Sequence, residues 1–350
     1  MRHRNGSSGP AAWLIRILLV LLETVGILLL ISLGALYMVV KGPSPAARDL
    51  FVMSVRETSA VGFLADIFLT PEEIAAIEAP PEENTSSTTD LSMITLQPKP
   101  EATETEGPKA DAWGLVDEDG DGIILESVKG LGFSGYMMVV LDPSRVVMGS
   151  VPEHYGVKGY SVAEMVEKYD AVAGINAGGF EDPNGSGNGS IPNSMTVVDG
   201  VVYGGGKGCR DGFAGFDENH ILHVGKLTPE AAEAEGIVSG ASFGPVLVNN
   251  GVACELPKSG VNPRTAIGQR SDGAVLLLVI DGRQVISLGA TYQDMIALFL
   301  EYGAVNACNM DGGSSSLMWF DGDYINNSAS IIGIRPVPTT FLVLKEGSAS

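Results

Sequence analysis

The sequence predicts a mixed α+β domain, in which helices pack against a largely antiparallel sheet, preceded by one transmembrane helix and a flexible stalk. Three observations support this fold class. A long apolar run lies near the N-terminus, and a stretch rich in Pro, Thr, Ser and Glu follows it. From Trp113 onward, short apolar segments alternate with Gly, Asp and Asn, and two helical segments each lead into a strand. That texture is typical of a loop-rich domain rather than a helical bundle.

A membrane anchor is predicted at residues 17–40, because this apolar run would reach ~36 Å as a helix and span a bilayer. Residues 1–16 carry Arg2, Arg4 and Arg16. Under the positive-inside rule this N-terminus stays cytoplasmic, so we expect a single-pass protein of the cell membrane with an extracytoplasmic domain. A cleaved signal peptide is the alternative, but the run is longer than a typical signal core. Glu23 inside the run leaves open a scaffold role in a membrane assembly.

The segment after the anchor divides into three parts. Residues 41–79 are predicted to form short juxtamembrane helices, one of which begins with a Thr70 cap followed by Pro71. Residues 80–112 are acidic, rich in Pro and Thr, and without apolar periodicity, which predicts a disordered linker. Residues 113–350 are predicted to fold as the functional domain.

Local signals predict the elements of this domain. Asp-Gly pairs in "SMTVVDGVVYGG" and "AIGQRSDGAVLLLVIDG" predict hairpins. Helices are predicted in "SVAEMVEKY", from its Ser cap with Glu three residues later, and in "SLGATYQDMIALFLEYG", which closes on Gly303. Each helix leads into a strand that ends in a glycine-containing loop, "GINAGGF" or "NMDGGSSS".

The composition and several incomplete sequence motifs argue against some classes of function. The 350 residues carry a formal net charge of −21 and no Lys/Arg cluster, so no nucleic acid partner is expected. Cys209, Cys254 and Cys308 lack zinc-site spacing, and a Cys209–Cys254 disulfide is left open. "DEDGDG" at 117–122 lacks the final Glu of a calcium loop, and "GGGKG" at 204–208 lacks the Ser or Thr of an ATP-binding loop.

The strongest candidate for chemistry is the loop at Asp311, where one carboxylate follows an apolar strand. Gly312 and Gly313 allow positive φ and close backbone approach, and Ser314 and Ser315 add hydroxyl donors. This composition suits a phosphate or sugar held against the backbone beside an acid. The alternative is a plain turn capped by Asp311.

Polar or small residues recur at the ends of other apolar strands. They are Asn176, Gly178, Arg264, Thr265, Asp281 and Arg335. An arginine at the mouth of an apolar strand needs an anionic partner, and its planar fork suits a phosphate. Structural alternatives stay open: Arg264 could pair with a structural acid, Asp281 could serve only its Asp-Gly turn, and Asn176 could satisfy backbone groups.

Five segments follow one another in the order found in the phosphodiester glycosidase family: "AGINAGGF", "NPRTAIG", "VIDGRQ", "NACNMDGGSSSLM" and "RPVPTTF". From Tyr136 to Leu344 the chain therefore resembles that family, although Ser314 stands where the family commonly has a third glycine. The resemblance implies a hydrolase that cleaves a sugar-1-phosphodiester, with a carbohydrate or glycosyl-phosphate polymer as substrate. Bacterial members are often linked with exopolysaccharide or cell-wall sugars.

The resemblance also implies roles for the candidate residues. By the two-carboxylate logic of glycosidases, Asp281 or Asp311 would act as nucleophile or as base for water. Arg264, with Arg335, would hold the phosphate, while Asn176 and the glycine-loop amides would position substrate oxygens. No cofactor is certain, but the oxygens of Asp281, Asp311 and Asn176 would suit calcium or magnesium. A non-catalytic surface module that binds anionic wall glycans is the alternative function.

Overall fold

The computed structural model describes residues 10–58, 61–79, 89–96, 110–182, 187–204, 212–330 and 333–347. The α-helices are α1 (Pro10–Lys41), α2 (Pro45–Arg56), α3 (Pro71–Glu78), α4 (Val162–Lys168), α5 (Pro229–Ala234) and α6 (Tyr292–Glu301). Short 3-10 helices cover Gly62–Ile67, Leu91–Met93, Pro143–Arg145, Pro152–His154 and Gly313–Ser315. Cys209 and most of the 204–208 segment lie outside the described residues, whereas Cys254 and Cys308 are thiols.

The strands fill most of the domain. They are β1 (Ile123–Gly130), β2 (Phe133–Val140), β3 (Val146–Ser150), β4 (Ala171–Asn176), β5 (Thr196–Val198), β6 (Val201–Tyr203), β7 (Phe213–Asp217), β8 (Leu222–Gly225), β9 (Ile237–Ser242), β10 (Val246–Asn249), β11 (Val252–Ala253), β12 (Arg264–Arg270), β13 (Val275–Ile280), β14 (Ala304–Met310), β15 (Met318–Phe320), β16 (Asp323–Tyr324) and β17 (Thr339–Leu344).

Within the described ranges these strands form three sheets. The first has the order β1-β2-β13-β12-β14-β10-β11, the second β16-β15-β4-β17-β3, and the third β6-β5-β9-β7-β8. The paired neighbours run antiparallel. The predicted α+β class with a largely antiparallel strand arrangement is therefore confirmed, with the strands divided over three sheets.

The main core lies where the three sheets meet. Leu277 of the first sheet, Phe341 of the second and Phe216 of the third belong to one cluster of buried apolar side chains. The other face of the first sheet is covered by α6, whose Phe299 is fully buried there. Because β13 is covered on both faces, its sequence is the continuous apolar run "VLLLVI" rather than an alternating one.

Helix ends follow the predicted caps. Thr70 and Ser161 each form a capping box with the Glu three residues later, at the starts of α3 and α4. Gly303 follows α6 with a φ of 79°, a conformation that glycine adopts without steric cost. Local chemistry therefore determines where these helices begin and end.

The N-terminal helix agrees with the predicted anchor. Residues 17–40 lie within α1, and Trp13–Lys41 is the one helix of the described chain that is long and apolar enough to cross a membrane. Its apolar side chains are largely exposed, as expected for a surface that faces lipid.

Two segments before the domain pack against it, which the sequence did not predict. The C-terminal end of α2 lies against residues 258–262, where the Val261 N–H donates a hydrogen bond to the Ser54 hydroxyl at 3.0 Å. Within the predicted linker, residues 89–96 also pack on the domain, because Ile94 is buried and the Thr95 N–H donates to the Ser271 carbonyl at 2.8 Å. Residues 89–96 of the predicted 80–112 linker therefore pack on the domain, while 80–88 and 97–109 lie outside the described residues.

Candidate active site

A pocket of about 590 Å³ opens at one end of the first sheet, beside the end of α2. Its lining contains seven of the residues singled out from the sequence: Arg264, Asp311, Gly312, Gly313, Ser314, Ser315 and Arg335. The other four predicted residues, Asn176, Gly178, Thr265 and Asp281, do not line it. The five distant sequence segments do converge, but only part of each reaches the pocket.

Strand register explains why the pocket forms here. β12 and β14 are antiparallel neighbours, and Thr265 pairs with Met310. The start of β12 and the end of β14 therefore lie at the same edge of the sheet, which places Arg264 and Asp311 side by side. Gly313 takes a φ of 63°, and an added Cβ on Gly312 would lie 2.8 Å from the Pro263 carbonyl oxygen. The loop after Asp311 accordingly needs glycine for its tight path.

Asp311 is held by its backbone, and its carboxylate faces the pocket. Its N–H donates to the Ala177 carbonyl at 2.9 Å, and its own carbonyl accepts a hydrogen bond of 2.6 Å from Asn176 Nδ2. Burial raises the pKa of Asp311 to about 7, although the Ser315 hydroxyl and the Arg335 charge both act to lower it. A carboxyl group with that pKa can both take up and release a proton near neutral pH.

Asn176 and Thr265 form a buried hydrogen-bonded pair beside the loop, and Gly178 is buried two residues after Asn176. Asn176 Oδ1 accepts hydrogen bonds from the Thr265 hydroxyl at 2.9 Å and from the Leu317 N–H at 3.1 Å. An added Cβ on Gly178 would lie 3.1 Å from the Ala241 side chain. These three residues are buried and do not line the pocket, so the predicted contact with substrate is not visible in this structure.

Asp281, the second predicted acid, is also enclosed by protein. Its Oδ1 accepts from Asn326 Nδ2 at 3.1 Å and from the Asn327 N–H at 2.9 Å, and its Oδ2 accepts from Asn327 Nδ2 at 3.2 Å. Only 5% of Asp281 is exposed. The structure therefore does not bring this carboxylate to the pocket, and its contacts are those of a residue that holds the loop after β16.

The two predicted arginines already have anionic partners. Arg264 Nη2 lies 2.7 Å from the Glu57 carboxylate, and its guanidinium stacks over Tyr292 with the central carbon 4.5 Å from the ring centre. Arg335 Nη2 lies 2.6 Å from Asp182. The alternative interpretation of Arg264, a pair with a structural acid, describes the contact that the structure contains.

Arg283 is a pocket residue that the sequence analysis missed. It follows Asp281 and Gly282 in "VIDGRQ", has a φ of 57°, and donates to the Thr58 hydroxyl at 2.9 Å. No carboxylate of the described chain lies within ion-pair distance of its guanidinium. Burial and the neighbouring Arg264 lower the pKa of Arg283, while the Glu57 charge acts to raise it. An incoming anion would therefore find a guanidinium with no direct carboxylate partner in the described chain. No local sequence signal distinguishes this arginine from a surface residue.

The loop amides and the proposed metal ligands are less available than predicted. The N–H groups of Gly313, Ser315 and Ser316 donate to the carbonyls of Pro263, Gly312 and Gly313, so they form no open anion nest. The predicted oxygen ligands, Asp311 included, already accept hydrogen bonds from neighbouring residues. Of Asp281, Asp311 and Asn176, only Asp311 lines the pocket.

A second group of acids lies apart from the pocket. The carboxylate oxygens of Asp117, Asp119 and Asp121 come within 4.8 Å of one another in the turn before β1. No helix flanks this turn, as a calcium-binding helix-loop-helix unit would require. The structure therefore agrees with the interpretation of this motif as a turn.

Comparison with known proteins places this chain in a family. A family model described as phosphodiester glycosidase matches residues 169–344, a range that contains every predicted site residue. A relative from Bacillus subtilis (strain 168), the SPbeta prophage-derived uncharacterized protein YomE, is 33% identical over 199 residues. That alignment covers 53% of this chain and 29% of the relative, so the chain spans less than a third of that protein.

Two solved structures are similar to this chain to different degrees. The catalytic domain of zebrafish N-acetylglucosamine-1-phosphodiester alpha-N-acetylglucosaminidase, auto-inhibited by its pro-peptide, matches with a TM-score of 0.53 and 18% identity, covering 64% of this chain and 82% of that one. A putative exported protein from Burkholderia pseudomallei K96243 matches with a TM-score of 0.46 and 18% identity, covering 61% of this chain and 74% of that one. At 18% identity, the zebrafish match supports the fold alone.

Proposed function

The chain belongs to the phosphodiester glycosidase family, and from that premise we propose that its pocket hydrolyses a sugar-1-phosphodiester at the bond between the anomeric carbon and the phosphate oxygen. One observation carries the proposal. Asp311, with a pKa of about 7, and Arg283, which has no carboxylate partner in the described chain, line the same pocket. A proton acceptor and an anion-binding group are the two parts that this reaction requires.

Asp311 acts in this proposal as the general base. A pKa near the working pH gives the best compromise between being ionised and accepting a proton. Ionised Asp311 takes a proton from a water molecule while the water oxygen attacks the anomeric carbon. The bond to the phosphate oxygen breaks, and its electron pair leaves with that oxygen. The products are the free sugar and a phosphomonoester, and Asp311 returns its proton to solvent.

Arg283 acts as the phosphate-binding group. Its planar guanidinium can donate two parallel hydrogen bonds to two phosphate oxygens. It lies over the glycine loop, because an added Cβ on Gly313 would be 3.4 Å from Arg283 Nη2. The leaving phosphate is thereby held beside Asp311. Phosphate leaves readily as an anion, so the mechanism needs no second carboxylic acid, consistent with the enclosed position of Asp281.

The full-length chain in detergent tests this proposal with a panel of sugar-1-phosphodiesters, by measuring release of free sugar and phosphomonoester. In water labelled with oxygen-18 the label should enter the sugar, because the anomeric C–O bond breaks. Arg283→Gln should raise KM by roughly 10–100-fold, the cost of losing a charge-assisted hydrogen bond, and Arg283→Lys should lose less. Label in the phosphate, or no sugar release from any substrate, would refute the proposal.

We further propose that α1 anchors the protein in the cell membrane, with the N-terminus cytoplasmic and cell-wall or exopolysaccharide glycans as substrate. The length of α1 and the arginines before residue 17 support this orientation. A membrane-impermeant protease added to intact spheroplasts should remove the domain and spare a tag at the N-terminus. Protection of the domain would contradict the orientation.

A further inference from the structure

The segment next to the membrane anchor supplies one wall of the pocket. α2 approaches the loop before β12 at backbone distance, because an added Cβ on Gly260 would lie 2.2 Å from Ser54 Cα. The Val261 N–H bonds the Ser54 hydroxyl at the same contact. Glu57 and Thr58, which follow α2 directly, are thereby brought into the pocket lining. These residues lie outside the range that matches the family model.

Glu57 is fixed in place by three contacts. Its Oε2 lies 2.7 Å from Arg264 Nη2 and accepts from Asn262 Nδ2 at 2.9 Å, while its Oε1 accepts from the Gly260 N–H at 2.9 Å. The Glu57 side chain nevertheless keeps 22% exposure, against 6% for Arg264. The carboxylate therefore neutralises the buried arginine and also faces the space that a ligand would enter.

This pair sets the charge of the pocket. The charged groups that line it are Glu57, Asp182, Arg264, Arg283, Asp311 and Arg335. The Arg264–Glu57 and Arg335–Asp182 ion pairs cancel, which leaves Arg283 and Asp311. Since Asp311 is either neutral or negative, the pocket has a surplus of at most one positive charge.

Substrate and product of the proposed hydrolysis differ in charge by about one unit. A phosphodiester carries a single negative charge at neutral pH. The phosphomonoester left after the sugar departs has a second ionisation with a pKa of about 6, so it carries nearly two charges above neutral pH. A pocket whose surplus is one positive charge with Asp311 protonated, and none with Asp311 ionised, accommodates the singly charged substrate better than the doubly charged product.

We propose, building on the proposed hydrolysis, that Glu57 is a specificity-determining residue: by neutralising Arg264 it lets the pocket hold a phosphodiester and expel the phosphomonoester product. The juxtamembrane segment is then part of the working site, not a spacer. Loss of the Glu57 charge would leave Arg264 as a second free cation, and a doubly charged product would gain twice as much from it as a singly charged substrate.

Glu57→Gln tests the proposal in the full-length chain at about pH 8. The measurements are KM for a sugar-1-phosphodiester, Ki for the phosphomonoester product, and the dissociation constants of both ligands by calorimetry. At roughly tenfold per negative charge, the phosphodiester should bind about tenfold more tightly and the phosphomonoester about 100-fold more tightly. Product inhibition should therefore become severe.

Two matched variants separate charge from shape. Glu57→Asp keeps the charge and should keep the wild-type ratio of the two constants. Asp49→Asn removes a charge from the same helix, where it pairs with Lys258 at 2.5 Å outside the pocket, and should leave the ratio unchanged. Equal tightening of both ligands would mean that Glu57 simply blocks the pocket and would overturn the proposal, as would weakening of both.

The two levels of the hypothesis fail in different ways. If no phosphodiester is hydrolysed, the proposed function fails, while the calorimetric ratio of the two ligands still reports on Glu57. If hydrolysis occurs with the same ratio in wild type and Glu57→Gln, the proposed function stands and the role of Glu57 is refuted.

Discussion

The ends of β13 and β14 share a sequence pattern and differ in chemistry. In each, a fully buried strand leads directly into Asp-Gly, at Asp281 and at Asp311. Ile280 pairs with Arg264 and Met310 pairs with Thr265, so both strands leave the sheet at the same edge, on either side of β12. Two aspartates in equivalent positions of neighbouring strands therefore experience different surroundings.

The difference comes from distant segments. The loop after β16 brings Asn326 and Asn327 against Asp281, and their donors occupy both of its oxygens. Asn326 and Asn327 do not contact Asp311 in this way, and Asp311 lines the pocket with a raised pKa. An acid at a strand end thus becomes structural or reactive according to what the rest of the chain packs against it.

The largest expected effect separates the two aspartates by activity. Asp311→Asn removes the proposed base without changing its size, so kcat should fall by roughly 10²–10⁴-fold. Asp281→Asn should keep kcat within about tenfold when assayed well below its melting temperature. Initial rates of sugar release measure both. The opposite ranking would assign the chemistry to Asp281 and remove the contrast between the two strand ends.

Asp281→Asn should have the larger effect on stability, the opposite of the order expected for activity. Asp281→Asn replaces one acceptor oxygen with an amide donor that faces the donors of Asn326 and Asn327. At least one buried donor then loses its acceptor, and the free energy of unfolding should fall by about 3 kcal/mol. Thermal denaturation measures this change. Asp119→Asn, on an exposed side chain of the turn before β1, is the control and should stay within about 0.5 kcal/mol. Equal loss in both variants would mean that the contacts of Asp281 contribute nothing specific.

Local features of the fold and site were predictable from the sequence. The α+β class follows from short apolar segments, and the starts of α3 and α4 follow from their capping boxes. The Asp311 loop was predictable because its apolar strand, its acid and its glycines are contiguous. Each of these signals depends on residues within about ten positions of one another, where propensity and periodicity act.

The features of the site that could not be predicted depend on contacts between residues far apart in the sequence. The partner of Arg264 is Glu57, 207 residues earlier in the sequence, and it is carried by a helix that we expected to lie before a disordered linker. Arg283 lines the pocket with no acid within ion-pair distance in the described structure, and sequence alone does not reveal such an absence. Asp281 looked catalytic because Asn326 and Asn327 carry no signal that they enclose it.

The pH dependence of stability should be specific to Asp311. Its folded-state pKa, about 7, lies above its unfolded value near 4. The protonated form is thus favoured by folding, so this contribution is fully present below the unfolded pKa and is lost as pH rises to about 7. Between about pH 5 and 7.5 the free energy of unfolding should fall by roughly 2 kcal/mol more in wild type than in Asp311→Asn. This figure is reduced from the full shift because solvent screens the exposed part of the residue. Parallel melting curves across that range would contradict the raised pKa.

The smallest expected effect lies within the loop after Asp311. Ser314→Gly restores a third glycine and removes one 3.0 Å hydrogen bond from Arg335, which keeps its ion pair with Asp182, so KM should change by less than about fivefold. Ser315→Ala differs, because the Ser315 hydroxyl bonds the Asp311 carboxylate and lowers its pKa. Its loss should move the acidic limb of the kcat/KM profile to higher pH. If Ser314→Gly shifts that limb as much as Ser315→Ala does, the orientation of Arg335 controls the protonation of Asp311 more strongly than the Ser315 hydroxyl does. The residues that tune Asp311 would then include Ser314.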